Sequence, residues 1–144
     1  MNQDNLDSAD SVSAAGAAPG ESMQFHLQDA QRRCCRLRRR ILEISQGFPA
    51  IHIGGAFSCL EMVDTIYHGL MRRSEDGTFW DSFILSKGHG AMALYSSLEE
   101  LGIMSRSDLD GYCSATGRLG MHPDRGLPGI EASTGSLGHG LGMA

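Results

Sequence analysis

Three histidines in this chain sit where a turn can present a polar side chain into a crevice. His52 stands in IHIGG, His89 in KGHG and His122 in MHPD. An imidazole can donate to or accept from a sugar hydroxyl near neutral pH, and it can hydrogen-bond a phosphate. His122 opens the richest stretch, Gly120 to Gly140, GMHPDRGLPGIEASTGSLGHG. Glycine lets backbone approach a ligand closely, and a helix N-terminus offers unpaired N–H groups to an anion. The chemistry these types suggest is recognition of a phosphorylated, hydroxyl-bearing ligand.

Other uses of the same residues fit less well. The three histidines lie more than thirty residues apart, without the short His spacings of zinc sites and without acidic residues in a ligand pattern, so no metal site is expected. Ser133, Ser136 and Cys113 are weak candidates for a nucleophile, because neither serine lies in a G-x-S-x-G elbow. His139, His26, His68 and the single Trp80 are read as structural.

Several elements must position these loops. Gln24 to Gln46 carries Leu27, Ala30, Cys34, Leu37, Ile41 and Ile44 at helical spacing, which gives one apolar stripe. Its other faces hold Arg32, Arg33, Arg36, Arg38, Arg39 and Arg40, either a solvated face, a contact for anionic groups, or a nucleic-acid patch. Gly47-Phe48-Pro49 breaks the helix, and Ile51 to Gly55 reads as a tight connection. A second helix is predicted from Ser58 to about Met71, with Ser58 and Glu61 as a capping box. Phe83 to Ser86 reads as a buried strand of a parallel sheet, and Ala91 to Leu101 as a helix. A short helix capped by Ser105, with Asp108 behind it, should run to Tyr112, and a last one should begin near Ser136. The pattern is α/β, with one strand that needs neighbours.

The chain has 144 residues, 41% hydrophobic and 20% charged, which suits one domain with a sizeable core. A net charge of −5, with no interleaved aromatics around the arginines, argues against a nucleic-acid partner. No apolar run approaches the roughly 18–20 residues of a membrane span, and the N-terminus lacks a signal-peptide pattern. The cysteines (Cys34, Cys35, Cys59, Cys113) form no C-x-x-C pair and are expected as reduced thiols in a cytoplasmic protein. Residues 1–22 are small, polar and acidic, and are expected to be a disordered tail; Met23 follows directly.

Three segments in order carry a family resemblance: Ile51-His52-Ile53-Gly54-Gly55-Ala56, Phe83-Ile84-Leu85-Ser86-Lys87-Gly88-His89-Gly90, and Gly120 to Gly140. The chain resembles the N-terminal, diphosphate-binding half of transketolase, especially the form split into two subunits. The resemblance covers about Asp29 to Ala144, and the Ser-Lys-Gly-His and His-Pro-Asp forms set it apart from deoxyxylulose-phosphate synthase. It implies a partial thiamine-diphosphate-binding fold, the helix-rich N-terminal portion of a parallel-sheet domain, over residues 23–144. It also implies transfer of a two-carbon ketol unit between sugar phosphates, with thiamine diphosphate and Mg²⁺ as cofactors. Matched residue by residue, His52 is the substrate-facing histidine and His122 the one bonding the donor's hydroxyl and the intermediate, both catalytic. His89 contacts the diphosphate, and Gly135, Ser136 and Leu137 run their backbone along the cofactor.

The family's Gly-Asp-Gly…Asn metal ligands and its activating glutamate are absent from this chain, so no metal-ligating residue is assigned. The resemblance therefore implies a subunit or fragment that is silent alone. It would need a C-terminal transketolase subunit or segment, in a homo- or hetero-oligomer. The alternatives are a non-catalytic partner-binding protein or a phospholigand-binding remnant of the fold.

Overall fold

The structure is a computed structural model that describes residues 21–48 and 51–143, with side chains from residue 27 onward. Of the tail expected over residues 1–22, residues 1–20 lie outside the described residues, as does the side chain of His26, whereas Glu21 and Ser22 already belong to the first helix. Helix α1 spans Glu21–Gly47, α2 Ile53–Phe57 and α3 Leu60–Thr65, which continues through a π turn at Ile66–Leu70. A 3₁₀ turn at Gly88–Gly90 leads into α4, Ala91–Glu100, followed by α5, Arg106–Asp110, and α6, Gly140–Met143.

Helix α4 is the hub. Residues 91–98 are all buried, including Tyr95 and Leu98, and α1, α2, α3 and α5 pack against it. Ala91, Met92, Ala93, Leu94, Tyr95 and Leu98 put apolar groups on most sides of its first two turns, so neighbours must surround them. From α1 the expected stripe contributes Cys34, Leu37 and Ile41 to the core, whereas Leu27 at its start is exposed. Ser105 forms the expected capping box with Asp108: its side chain accepts from the Asp108 N–H, and the carboxylate accepts from the Ser105 N–H.

The arginines of α1 hold the helices together through carboxylates. Arg33 binds Asp64 of α3 with two bonds of 2.8 and 2.9 Å, and Arg38 pairs with Glu61. Arg36 pairs with Glu100, while Arg40 bridges Glu99 at 2.8 Å and Asp110 at 2.7 Å. Four of the six arginines thus clamp α1 onto α3, α4 and α5, while Arg32 and Arg39 pair within α1 with Asp29 and Glu43.

Four local expectations need correction. Phe83 to Ser86 is not in a strand ladder; only the isolated bridges Arg73–Phe79 and Arg125–Leu127 occur among the described residues. A strand exists only where a second one pairs its backbone groups, and Ser86 and Gly88 instead bond locally to the carbonyls of Ile84 and Ser86. Ile51 to Gly55 is not a plain connection, because α2 begins at Ile53 despite two glycines, with Ala56 buried in the core. Ser58 does not N-cap the next helix: Cys59 precedes α3, whereas Ser58 closes α2 as its C-cap, and its hydroxyl donates to the Gly55 carbonyl and accepts from Lys87 Nζ at 2.5 Å. Finally, helix α6 starts at Gly140, four residues beyond Ser136, where the Gly140 N–H finds the Ser86 hydroxyl.

Candidate functional site

The turns carrying His52, His89 and His122 come from three separated parts of the chain and meet. Ring centroids are 4.9 Å apart for His52–His89, 4.7 Å for His89–His122 and 5.8 Å for His52–His122. His52 directly precedes α2, and His89 lies in the 3₁₀ turn ahead of α4. Gly55 brings these two elements together, since a Cβ there would lie 2.5 Å from the His89 carbonyl oxygen.

His122 is fixed from the core. Tyr95, fully buried in α4, donates its hydroxyl to the His122 carbonyl at 2.8 Å, with the Gly120 carbonyl at 3.2 Å. Burial pushes the Tyr95 hydroxyl well above the usual phenol range, so it stays a donor at any physiological pH. Replacing Tyr95 with Phe should cost about 1 kcal/mol, because it leaves a buried carbonyl unpaired. Hydrogen exchange at the amides of residues 120–122 should speed up by about fivefold, the same energy expressed as local opening. Unchanged exchange there would show that the loop is held by other means.

The glycine-rich segment completes the arrangement. Thr134 donates its N–H to the Pro123 carbonyl at 3.1 Å, and the Arg125 N–H donates to Ser133 Oγ at 2.9 Å. Gly135, at φ 152°, lies against the His122 ring, and a Cβ on it would stand 3.2 Å from the ring carbon Cγ. Gly88 faces the same segment: its Cβ would fall 2.6 Å from the Gly135 nitrogen and 2.8 Å from the Thr134 carbonyl carbon. Only glycine lets these two backbones touch. Beside them a cavity of about 660 Å³ is lined by Ser133, Thr134, Ser136, His139, Gly142 and Met143.

Not every expected residue joins the histidines. Gly135 does, Ser136 lines the adjoining cavity, and the Leu137 side chain is 63% exposed. His139, read as structural, lines that cavity too. Cys113, in the turn that follows α5, has φ 52° and borders a different cavity with Arg40 and Phe48. His68 packs beside Asp64, its Nε2 3.8 Å from Oδ1, and burial lowers its pKa. Trp80 is exposed, so it plays no packing role of the sort expected for a lone tryptophan. All four cysteines are free thiols.

Sequence reasoning missed Tyr95 and Thr134. Tyr95 had a signal of a kind, a phenol in an otherwise small and apolar helix, whereas Thr134 had none.

The site has the character of a receptor for a polar group. Four buried side-chain atoms lack a hydrogen-bond partner among the described residues: His52 Nδ1, His89 Nδ1, His122 Nε2 and Thr134 Oγ1. Buried polar atoms are normally paired, so orphans gathered at one place point to an absent ligand. Imidazole nitrogens beside a close-packed glycine backbone fit an anionic, hydroxyl-bearing molecule such as a diphosphate cofactor. Mg²⁺ finds no ligand set here: no group of three or more His, Cys, Asp or Glu side chains among the described residues is placed to hold a metal ion.

Comparison with known proteins shows the family. Residues 35–144 match the family described as transketolase, thiamine diphosphate binding domain. One of the subunits of apulose-4-phosphate transketolase from Phocaeicola vulgatus is 42% identical over 109 residues, covering 74% of this chain and 39% of that protein. 6-Deoxy-6-sulfo-D-fructose transketolase subunit SqwG of Clostridium sp. is 34% identical over 81% of this chain and 44% of its own length. The transketolase of Treponema pallidum is 34% identical over 69% of this chain, which spans 15% of that enzyme. The chain thus covers less than half the length of each of these relatives. Three imidazoles on one glycine-lined floor and a family match over 35–144 lead to the same place: this chain belongs to the transketolase family, within its thiamine-diphosphate-binding domain.

Proposed function

We propose that this chain forms the diphosphate-side part of a transketolase that moves a two-carbon ketol unit between sugar phosphates. It would act in the cytoplasm, together with a complementary transketolase subunit or segment. The observation that carries this reading is the meeting of His52, His89 and His122 with ring nitrogens buried and unpartnered. Two of the relatives are named as transketolase subunits, which supports a partner chain.

Thiamine diphosphate, once bound, supplies the carbanion-stabilising chemistry as its ylid. This chain binds and orients. His89, on the turn beside Gly88, holds the diphosphate by hydrogen bonds through its ring. Gly135, Ser136 and Leu137 lay backbone along the cofactor, closely because Gly88 and Gly135 have no side chains to interpose. His52 and His122 face the sugar, holding its hydroxyls and moving protons at the oxygens whose charge changes. Tyr95 keeps His122 at the depth this requires. Mg²⁺ accompanying the diphosphate takes its ligands from outside the described residues, and the sheet that makes the domain α/β is completed likewise.

Titrating thiamine diphosphate with Mg²⁺ into the chain, alone and with the complementary subunit, tests the reading. Binding should appear in the mixture, and His89→Asn should weaken it about tenfold, the loss of one hydrogen bond to a charged group. No heat in either arm sinks the proposal. Equal binding of inorganic pyrophosphate and thiamine diphosphate would favour a generic phospholigand site.

A further inference from the structure

Thr134 stands apart among the buried polar groups. Its hydroxyl is the single unpartnered buried side-chain atom among the described residues that does not belong to His52, His89 or His122. The segment around it is held in place. Its N–H bonds the Pro123 carbonyl, the Ser133 hydroxyl next to it accepts from Arg125, and its carbonyl carbon packs on Gly88. Gly135, the next residue, lies on the His122 ring. Thr134 also lines the cavity shared with Ser136 and His139, so it links the histidine cluster to that space.

A buried hydroxyl without a partner is less favourable than one that is bonded, because it has lost water and gained nothing in return. Valine has nearly the same shape and carries no such penalty. Threonine is therefore the poorer choice for the empty protein and the better one only if a ligand atom completes the bond. We propose that Thr134 is a ligand-contacting residue whose hydroxyl hydrogen-bonds a polar atom of thiamine diphosphate itself, making a fourth side-chain contact of the site. The cofactor is favoured over the sugar because Thr134 is continuous with the Gly135–Leu137 backbone. This inference rests on the transketolase reading above.

The test uses the chain with its complementary subunit, comparing wild type, Thr134→Val and Thr134→Ser. Thiamine diphosphate with Mg²⁺ is titrated by calorimetry without any sugar, and the ligand-free proteins are melted. The expected result is a 5- to 30-fold weaker Kd for Thr134→Val, with an unchanged or higher ligand-free Tm. Thr134→Ser should stay within about threefold of wild type, because the serine hydroxyl restores the bond. Wild-type affinity in Thr134→Val overturns the inference while leaving the transketolase reading intact. A lowered ligand-free Tm with equal loss of binding in both variants would make Thr134 structural and also overturn it. Absence of binding by wild type would remove the underlying reading and the inference together.

Discussion

Gly88→Ala should weaken thiamine diphosphate binding at least 100-fold while leaving the helical content of the protein intact. The added methyl would stand 2.6 Å from the Gly135 nitrogen, 2.7 Å from its Cα and 2.8 Å from the Thr134 carbonyl carbon. All three are backbone atoms, so no rotamer change can relieve the contact. The 133–135 segment must move away by most of an ångström to restore ordinary separations near 3.4–4 Å. That motion lifts Gly135 off the His122 ring and pulls on the Thr134–Pro123 bond, so the groups facing the ligand shift together. Losing two hydrogen bonds to a charged ligand, at about 1.5 kcal/mol or more each, is worth about a hundredfold in affinity. The folding cost should be of comparable size, about 1–3 kcal/mol, as for other overpacked contacts. Gly54 makes a useful contrast: a Cβ there meets nothing within 4 Å, and alanine in α2 should add a few tenths to 1 kcal/mol of stability. Calorimetric titration and circular dichroism distinguish the two effects. Wild-type affinity in Gly88→Ala would mean that the touching backbones have no part in binding.

The second large effect concerns stability. Asp64 is 1% exposed, and its carboxylate depends on two bonds from Arg33. His68 Nε2, at 3.8 Å, is too distant to replace them, and burial disfavours its charged form. Arg33→Met should therefore cost about 3–5 kcal/mol at neutral pH, because an uncompensated charge remains buried. The loss should be read by chemical denaturation at several pH values. Burial keeps His68 neutral until below the usual imidazole range, and its protonation there offers Asp64 a cation, so the gap between variant and parent should narrow on acidification. Adding Asp64→Leu to Arg33→Met should recover most of the loss, since neither charge is then buried. A single-variant cost below about 1 kcal/mol would place this pair with solvated surface ion pairs.

Both predictions concern features that were unequally visible in the chain. The arginines of α1 stood out as a charged cluster, but nothing local says which carboxylate each will meet. Asp64, Glu99, Glu100 and Asp110 lie 31 to 70 residues from their arginine partners, and only packing of α1 on α3, α4 and α5 joins them. The capping box at Ser105 was readable because it is complete within four residues. The one proposed at Ser58 was not, because Lys87 and the Gly55 carbonyl compete for the same hydroxyl from outside that window.

By itself the sequence determined the amphipathic α1, the apolar α4, the turn chemistry of three histidine loops and, through three ordered motifs, the family. These depend on spacing, composition and local hydrogen bonding, all of which act over a few residues. Tertiary structure alone decided that His52, His89 and His122 share one floor, that Tyr95 sets the depth of His122, and that Thr134 holds an unanswered hydroxyl. It also decided that Phe83 to Ser86 would run without a ladder among the described residues. The physical reason is the same in each case. A buried polar atom or an extended segment is defined by what lies against it, and those neighbours are supplied by distant chain.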